Sequence, residues 1–507
     1  MPRLLSTLTV MATLAIAGCG GGGGGDEASS PLDEALRYLP ADTPFAVAID
    51  TDTDGEQYKA AGDIADRFGL GKKLVEQIEE SLDAEPGEID RLEKALGNEF
   101  VVGSTDTRAF INDSSKEDDN FVGAIQASSR EALDGLLKEE GLKEQGESNG
   151  ATLYKDDDGD QFAIKGETLI VAGDKKQLDA ALATREGDDS LTEEDFEDGI
   201  EGVASDALIR VYLNVEELLS VDPDAKEALK SKWVRSLTTG GIALVVEDDE
   251  VAIDFNLKTD GEDLTEEDLP IAAGSEAPQV IDRSDGDVAL SLRDPAQILE
   301  FAQATAKSID PQGFSNFEVG KKQIERRLGI DLEEDFFGQM KDGLAVTGDI
   351  ESGFGIRAEL EDPREFEQTL EKMSSVLPDL AEGAFGQKVG FVKPKPGEDF
   401  YALATADQDQ VVFGVVGDVF VLSNKPAIAG SLGDDGMRSV PGAAGSVVLS
   451  VDAEQIGELV LGLTRNSDLG IVDRIKGEIG MKPLDELNGS LEASTDALSG
   501  SFKLTLD

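Results

Sequence analysis

Cys19 is the single cysteine of this 507-residue chain, and its surroundings suggest one definite reaction. Met1 to Arg3 gives a short positive start. Leu4 to Ile16 is apolar, interrupted only by Ser6, Thr7, Thr9 and Thr13. That stretch is too short to span a bilayer, for which a helix needs about 20 residues. It ends in Ile16-Ala17-Gly18-Cys19, the pattern of a lipobox: small residues suit the signal peptidase, and the thiol takes up a diacylglyceryl group. Residues 1–18 therefore read as a lipoprotein signal peptide, to be left out of the fold. Residues 19–30 read as a tether, flexible through Gly20 to Gly25 and solvated by Asp26 and Glu27. The expected partner is the cell membrane, reached through the lipid from its extracytoplasmic face.

The second motif with chemical potential is Asp50-Thr51-Asp52-Thr53-Asp54-Gly55. Alternate carboxylates followed by glycine match the first half of a calcium-binding EF-hand loop, in which three oxygens converge on one ion. The second half of the loop departs from the pattern. Ala61 stands at the twelfth position, where a bidentate Glu belongs, and Gln57 at the eighth. Asp63 or Asp66 would have to reach back. The competing reading is a solvated turn with Asp54 or a neighbour capping the next helix. Asp156-Asp157-Asp158-Gly159-Asp160, lying between two apolar runs, reads as a hairpin turn. The only tryptophan, Trp233, sits in a basic stretch from Lys226 to Arg235. Contact with anionic lipid heads and inward packing on a helix after Asp222-Pro223-Asp224 are the two readings.

Composition narrows the remaining chemistry. There are 106 acidic and 45 basic residues, a net charge of −61, and no histidine. Such a charge repels phosphate backbones, which sets nucleic acid aside and favours cationic or unknown protein partners. Without histidine, the commonest general base near neutral pH and the commonest zinc ligand are missing. Nucleophile-elbow, phosphate-loop and dinucleotide-fold signatures are not found. A carboxylate pair could still hydrolyse a glycan, but the sequence singles out no pair. One cysteine forms no intramolecular disulfide, so stability must come from packed cores, which 39% hydrophobic residues can supply.

The elements that would carry these residues repeat in order. Two stretches, 31–262 and 284–507, are expected to be similar α+β repeats, each an antiparallel sheet backed by helices and closed by a C-terminal hairpin. Residues 263–283, acidic and containing Pro270 and Pro278, read as the linker. Phe45 to Ile49 and Val288 to Leu292 are the opening strands. Charged amphipathic helices follow, such as Lys73 to Leu82 and Lys321 to Leu328. Gly166 to Ala172 parallels Gly417 to Ser423, each an acidic turn, a buried strand and a helix start at Asp174 or Asn424. Leu208 to Asn214 parallels Val447 to Asp452. Val251, Ile253, Phe255 and Leu257 alternate strictly, as do Leu498, Gly500, Phe502, Leu504 and Leu506. Alternation predicts one buried and one wet face on antiparallel strands.

Several of these pieces together resemble an uncharacterised bacterial lipoprotein family, domain of unknown function 3352. They are Tyr38-Leu39-Pro40-Ala41-Asp42-Thr43-Pro44, the strand Gly166 to Ala172 with its helix, Ser190-Leu191 before Asp195-Phe196, and Tyr212-Leu213-Asn214. The resemblance covers most of 35–220 and weakens beyond, since no Tyr-Leu-Pro-Ala-Asp element precedes Val288. It implies an extracytoplasmic, membrane-anchored protein and brings no catalytic residues with it. The expectation is a non-catalytic binding or scaffolding lipoprotein. The alternatives are a substrate-binding subunit of a transporter and a carboxylate-dependent envelope hydrolase.

Overall fold

The computed structural model describes residues 30–52, 55–68, 98–107, 121–139, 142–156, 160–282, 288–340, 343–349, 353–377, 389–394, 400–404, 410–452 and 484–506. Within them the chain is mixed helix and strand around a large antiparallel sheet. The first ten strands are β1 (Phe45–Ile49), β2 (Phe100–Gly103), β3 (Val122–Gln126), β4 (Lys143–Ser148), β5 (Ala151–Lys155), β6 (Gln161–Lys165), β7 (Thr168–Ala172), β8 (Ile209–Asn214), β9 (Leu237–Glu247) and β10 (Glu250–Thr259). A short β11 (Val280–Asp282) follows. Then come β12 (Val288–Leu292), β13 (Leu344–Asp349), β14 (Gly353–Glu359), β15 (Gly390–Val392), β16 (Phe400–Ala404), β17 (Gln410–Val416), β18 (Val419–Ser423), β19 (Gly436–Arg438), β20 (Val447–Asp452), β21 (Leu484–Ala493) and β22 (Ala497–Leu506).

Twenty of these described strands form one sheet, while β11 and β19 pair separately. The middle of the sheet is the β10–β22 pairing, which runs from Glu250↔Thr505 to Lys258↔Ala497. From there the joins run outward as β9, β8, β1, β2, β3, β7, β6, β5, β4 on one side. On the other side they run as β21, β20, β12, β13, β14, β18, β17, β16, β15. The order of joins is the same in both directions.

Local sequence explains most element ends. Asp174 accepts the amide of Gln177 at 2.8 Å and starts the helix Lys175–Glu186. Thr192 and Asp195 form a reciprocal capping box for Glu193–Gly199. Asp362 accepts the amides of Arg364 and Glu365, with Pro363 in the first helical turn. The counterpart expected at Asn424 differs. The helix starts after Lys425 at Pro426, and Asn424 Oδ1 instead accepts the Phe354 amide at 2.9 Å, tying β14 to the end of β18.

The buried face of β10 is also not the expected one. Ala252 and Asn256 are buried, whereas Ile253 is 46% exposed and Phe255 is half-buried. Alternation correctly puts Val251, Ile253, Phe255 and Leu257 on one side. Ile64 of the helix Glu56–Arg67 joins Val251 around one hydrophobic cluster and Leu504 around another. On the opposite side Asn256 Nδ2 donates to the Glu201 carbonyl, so a polar residue is accommodated in the buried layer. Phe255 and Phe502 stack across the central pair at 6.3 Å, which Gly489 and Gly500 permit: a Cβ on either would lie 2.5 Å from a ring carbon.

The segment 263–283, read as a linker, buries Leu264, Leu269, Ala272, Val280 and Ile281 and supplies β11. Trp233 is half-buried and stands edge-on to Phe301 at 6.5 Å. The described part of the acidic hairpin joins β5 to β6 at Lys155↔Gln161. Lys73 to Leu82 lies outside the described residues. Among them, no helix is long and apolar enough to cross a membrane, a statement that does not bear on strands.

Candidate ligand-binding pocket

A cavity of about 310 Å³ opens where β12, β13 and β14 end beside the strand pair β11–β19. Antiparallel register sets Ser291 of β12 against Ala345 of β13, and Ala345 against Arg357 of β14. All three line the cavity, together with Arg293 just beyond β12, Glu359 at the end of β14, Met437 of β19 and the segment Glu276 to Gln279. Gly343, at φ 104°, lets the chain enter β13 against the previous strand, since a Cβ there would meet the Leu292 carbonyl at 2.0 Å. The Ser291 hydroxyl is spent internally, donating to the Gln279 carbonyl at 2.6 Å.

The two arginines give the cavity its character. Arg293 Nη2 donates to the carbonyls of Ala273 at 2.6 Å and Gly274 at 3.1 Å. Arg357, only 9% exposed, uses Nη1 on the carbonyls of Leu432 at 3.3 Å and Asp435. Among the described residues, its ion-pair partner is Glu359, at 3.5 Å from Nη2. On both arginines Nε is buried and has no acceptor. Backbone carbonyls hold both guanidiniums in place; Arg357 also pairs with Glu359, and for the half-buried Arg293 no ion pair is found among the described residues.

Arg210 shows the contrasting arrangement. It extends from β8 with a side chain 7% exposed, and its two Nη atoms donate to Glu99 and Glu197. Its guanidinium carbon lies 5.6 Å from the Phe196 ring centroid. Burial raises the Glu99 carboxyl above the usual range, against the opposing pull of Arg210. This arginine is neutralised from within the fold.

The sequence-derived candidates fall elsewhere. Cys19 and Asp54 lie outside the described residues. Asp50 and Asp52 stand near the Arg210 cluster rather than the cavity. Asp50 Oδ1 accepts the Asp52 amide at 2.8 Å, and the Asp52 carbonyl accepts the Gly55 amide at 2.8 Å, as in a tight turn. Burial raises the Asp50 carboxyl, the Asp52 amide lowers it, and the charges of Asp52 and Arg210 act in opposite senses. Among the described residues no group of three or more candidate ligands is placed to hold a metal ion. Sequence reasoning missed Arg293 and Arg357. The available signal was a charged side chain inside the apolar strand Phe354-Gly355-Ile356-Arg357-Ala358.

The register of this pocket has a counterpart across the sheet. Ala48 of β1 pairs with Val101 of β2, which pairs with Ala124 of β3. These three apolar residues are buried in one cluster with Leu32, Ala35 and Leu36 of the helix Pro31–Leu36 and with Tyr38 and Leu39. The same strand positions are buried at both sites, under the helix Pro31–Leu36 at the first and beside β11 and the helix Pro426–Leu432 at the second, where a cavity remains.

The chain belongs to the family described as protein of unknown function (DUF3352), which matches residues 4–381. No curated protein matches it. Solved structures that align with it include crystal form III of TP0453, at 10% identity over 46% of this chain and 82% of that one, with a TM-score of 0.26. Crystal form I of TP0453 aligns at 11% identity over 47% and 82%, with a TM-score of 0.27. Likeness at that level carries no argument.

Proposed function

We propose that this protein is a lipoprotein, anchored through Cys19 at the extracytoplasmic face of a membrane, that binds a ligand or partner without catalysis. We also propose that it is built from two similar halves. The observation that carries the binding role is the cavity lined by Arg293 and Arg357, two cations anchored chiefly by backbone carbonyls at its wall. Support for the anchor comes from Ile16-Ala17-Gly18-Cys19 and the glycine run after it. The two-half reading rests on the identical order of joins outward from β10–β22. Fractionation of cells carrying Cys19→Ser tests the anchor. The variant is expected to leave the membrane fraction with its fold unchanged, and full retention there would overturn the reading.

A further inference from the structure

We infer that the cavity at Arg293 and Arg357 takes a small zwitterionic carboxylate, of the class of an amino acid with an apolar side chain. The inference rests on the binding role proposed above and names the ligand class for it. A chain with 106 acids and 45 bases has carboxylates to spare for its arginines. Arg210 receives two, Arg185 receives Glu34 and Arg438 receives Glu486. Arg293 and Arg357 are fixed chiefly by carbonyls, Arg357 with Glu359 at 3.5 Å from Nη2 as well, and on each the buried Nε has no acceptor. A planar guanidinium matches a planar carboxylate, and a fixed guanidinium loses little entropy on meeting one.

The remaining lining selects within that class. Glu276 is exposed at the cavity and Glu359 stands beside Arg357, so a dianion such as phosphate would meet two carboxylates. The net charge of −61 opposes free anions generally, and a zwitterion avoids that penalty while offering an ammonium to Glu276. Pro278, Leu292, Leu344 and Met437 supply an apolar wall for the side chain. A volume of about 310 Å³ suits a single small solute.

Calorimetric titration of the full-length detergent-solubilised protein distinguishes these features with four probes. L-leucine carries both charges, 4-methylpentanoate lacks the ammonium, 3-methylbutylamine lacks the carboxylate, and inorganic phosphate is the dianion. Leucine is expected to bind most tightly, 4-methylpentanoate about tenfold more weakly, and the amine and phosphate not measurably. Arg357→Gln should weaken leucine and 4-methylpentanoate alike, by about tenfold or more. Glu276→Gln, at an exposed position, should bring leucine down to the level of 4-methylpentanoate and leave the latter unchanged. Melting curves check that each variant is folded; if Arg357→Gln is not, Arg357→Lys replaces it, keeping the charge and losing the planar fork. Binding of leucine that neither arginine variant weakens, equal or tighter binding of phosphate, or no heat from any probe at about 10 mM would overturn the inference. Those results leave the membrane anchor standing, because fractionation of Cys19→Ser reads it independently.

Discussion

Replacing Arg210 with leucine tests whether the charge cluster at the ends of β1, β2 and β8 is an internally neutralised structural unit. Arg210 is nearly buried, while Glu99 and Glu197 retain 29% and 38% side-chain exposure. Removing one partner of a fully buried pair costs about 3–5 kcal/mol, because the other charge stays uncompensated. Glu197 is too exposed to be charged at that rate, since pairs in water are worth about 0–1 kcal/mol. Loss of the contact with the Phe196 ring adds about 0.5–1 kcal/mol. The expected cost of Arg210→Leu at pH 7 is therefore about 3 kcal/mol, read from urea unfolding midpoints at constant slope. Most of it comes from Glu99, whose carboxyl burial already raises. Without Arg210 that carboxyl rises further. A raised carboxyl is bound more tightly to its proton in the folded state, so the stability is retained at low pH and lost as pH climbs through the folded value. The cost should accordingly be smaller at about pH 4.5 than at pH 7, and Arg210→Leu with Glu99→Gln should recover about 1–2 kcal/mol at pH 7. An equal cost at both pH values, with no recovery in the double variant, would refute the reasoning.

Two further outcomes follow from titratable groups. Burial pushes the Tyr38 phenol up to about 12 from its ordinary 10.0, so its neutral form contributes stability that is complete below about pH 10 and lost as pH rises towards 12. Thermal melts of Tyr38→Phe should fall less steeply across that window than those of the parent; parallel slopes would contradict it. Calcium binding at Asp50, Asp52 and Asp54, with Ala61 where the bidentate ligand belongs, should show no saturation below about 0.1 mM in calorimetry, and micromolar affinity would refute that expectation.

Much of the sheet was legible because hydrophobic alternation reports which side chains share a face. The opening strands Phe45–Ile49 and Val288–Leu292 and the alternating runs in β10 and β22 stand where the pattern put them. Alternation does not say what covers a face, which is why Ile253 was expected to be buried and is 46% exposed. Nor does it say which distant strands meet. The β10–β22 pairing joins residues about 250 apart, and loop-closure cost over that distance leaves no local trace in the chain. Segment 263–283 looked like a linker because its acids dominate its composition. Leu269 and Val280 are spaced through it, and burial is decided by such residues rather than by the average. The charge of Arg357 inside an apolar strand was visible, but its surroundings were not: its acceptors are the carbonyls of Leu432 and Asp435, brought in by a helix and turn far along the chain.

The pair of strand positions Ala124 and Arg357 explains why one site is core and the other a cavity. Each lies on a strand paired with the same kind of neighbours: Val101 and Ala48 in one case, Ala345 and Ser291 in the other. At the first, Leu32, Ala35 and Leu36 descend from the helix Pro31–Leu36 and complete a dry cluster, with Tyr38 and Leu39 behind them. A methyl group at Ala124 is what that close packing tolerates. At the second, the chain arrives through β11 and the extended Glu276 to Gln279, which leave space above the strands. Arg357 reaches the backbone carbonyls of Leu432 and Asp435 there and lines the cavity. Under the proposed two-half construction, both sets of positions are buried, but the helix Pro31–Leu36 fills the space above the first, while the segment Glu276 to Gln279 leaves a cavity beside the second.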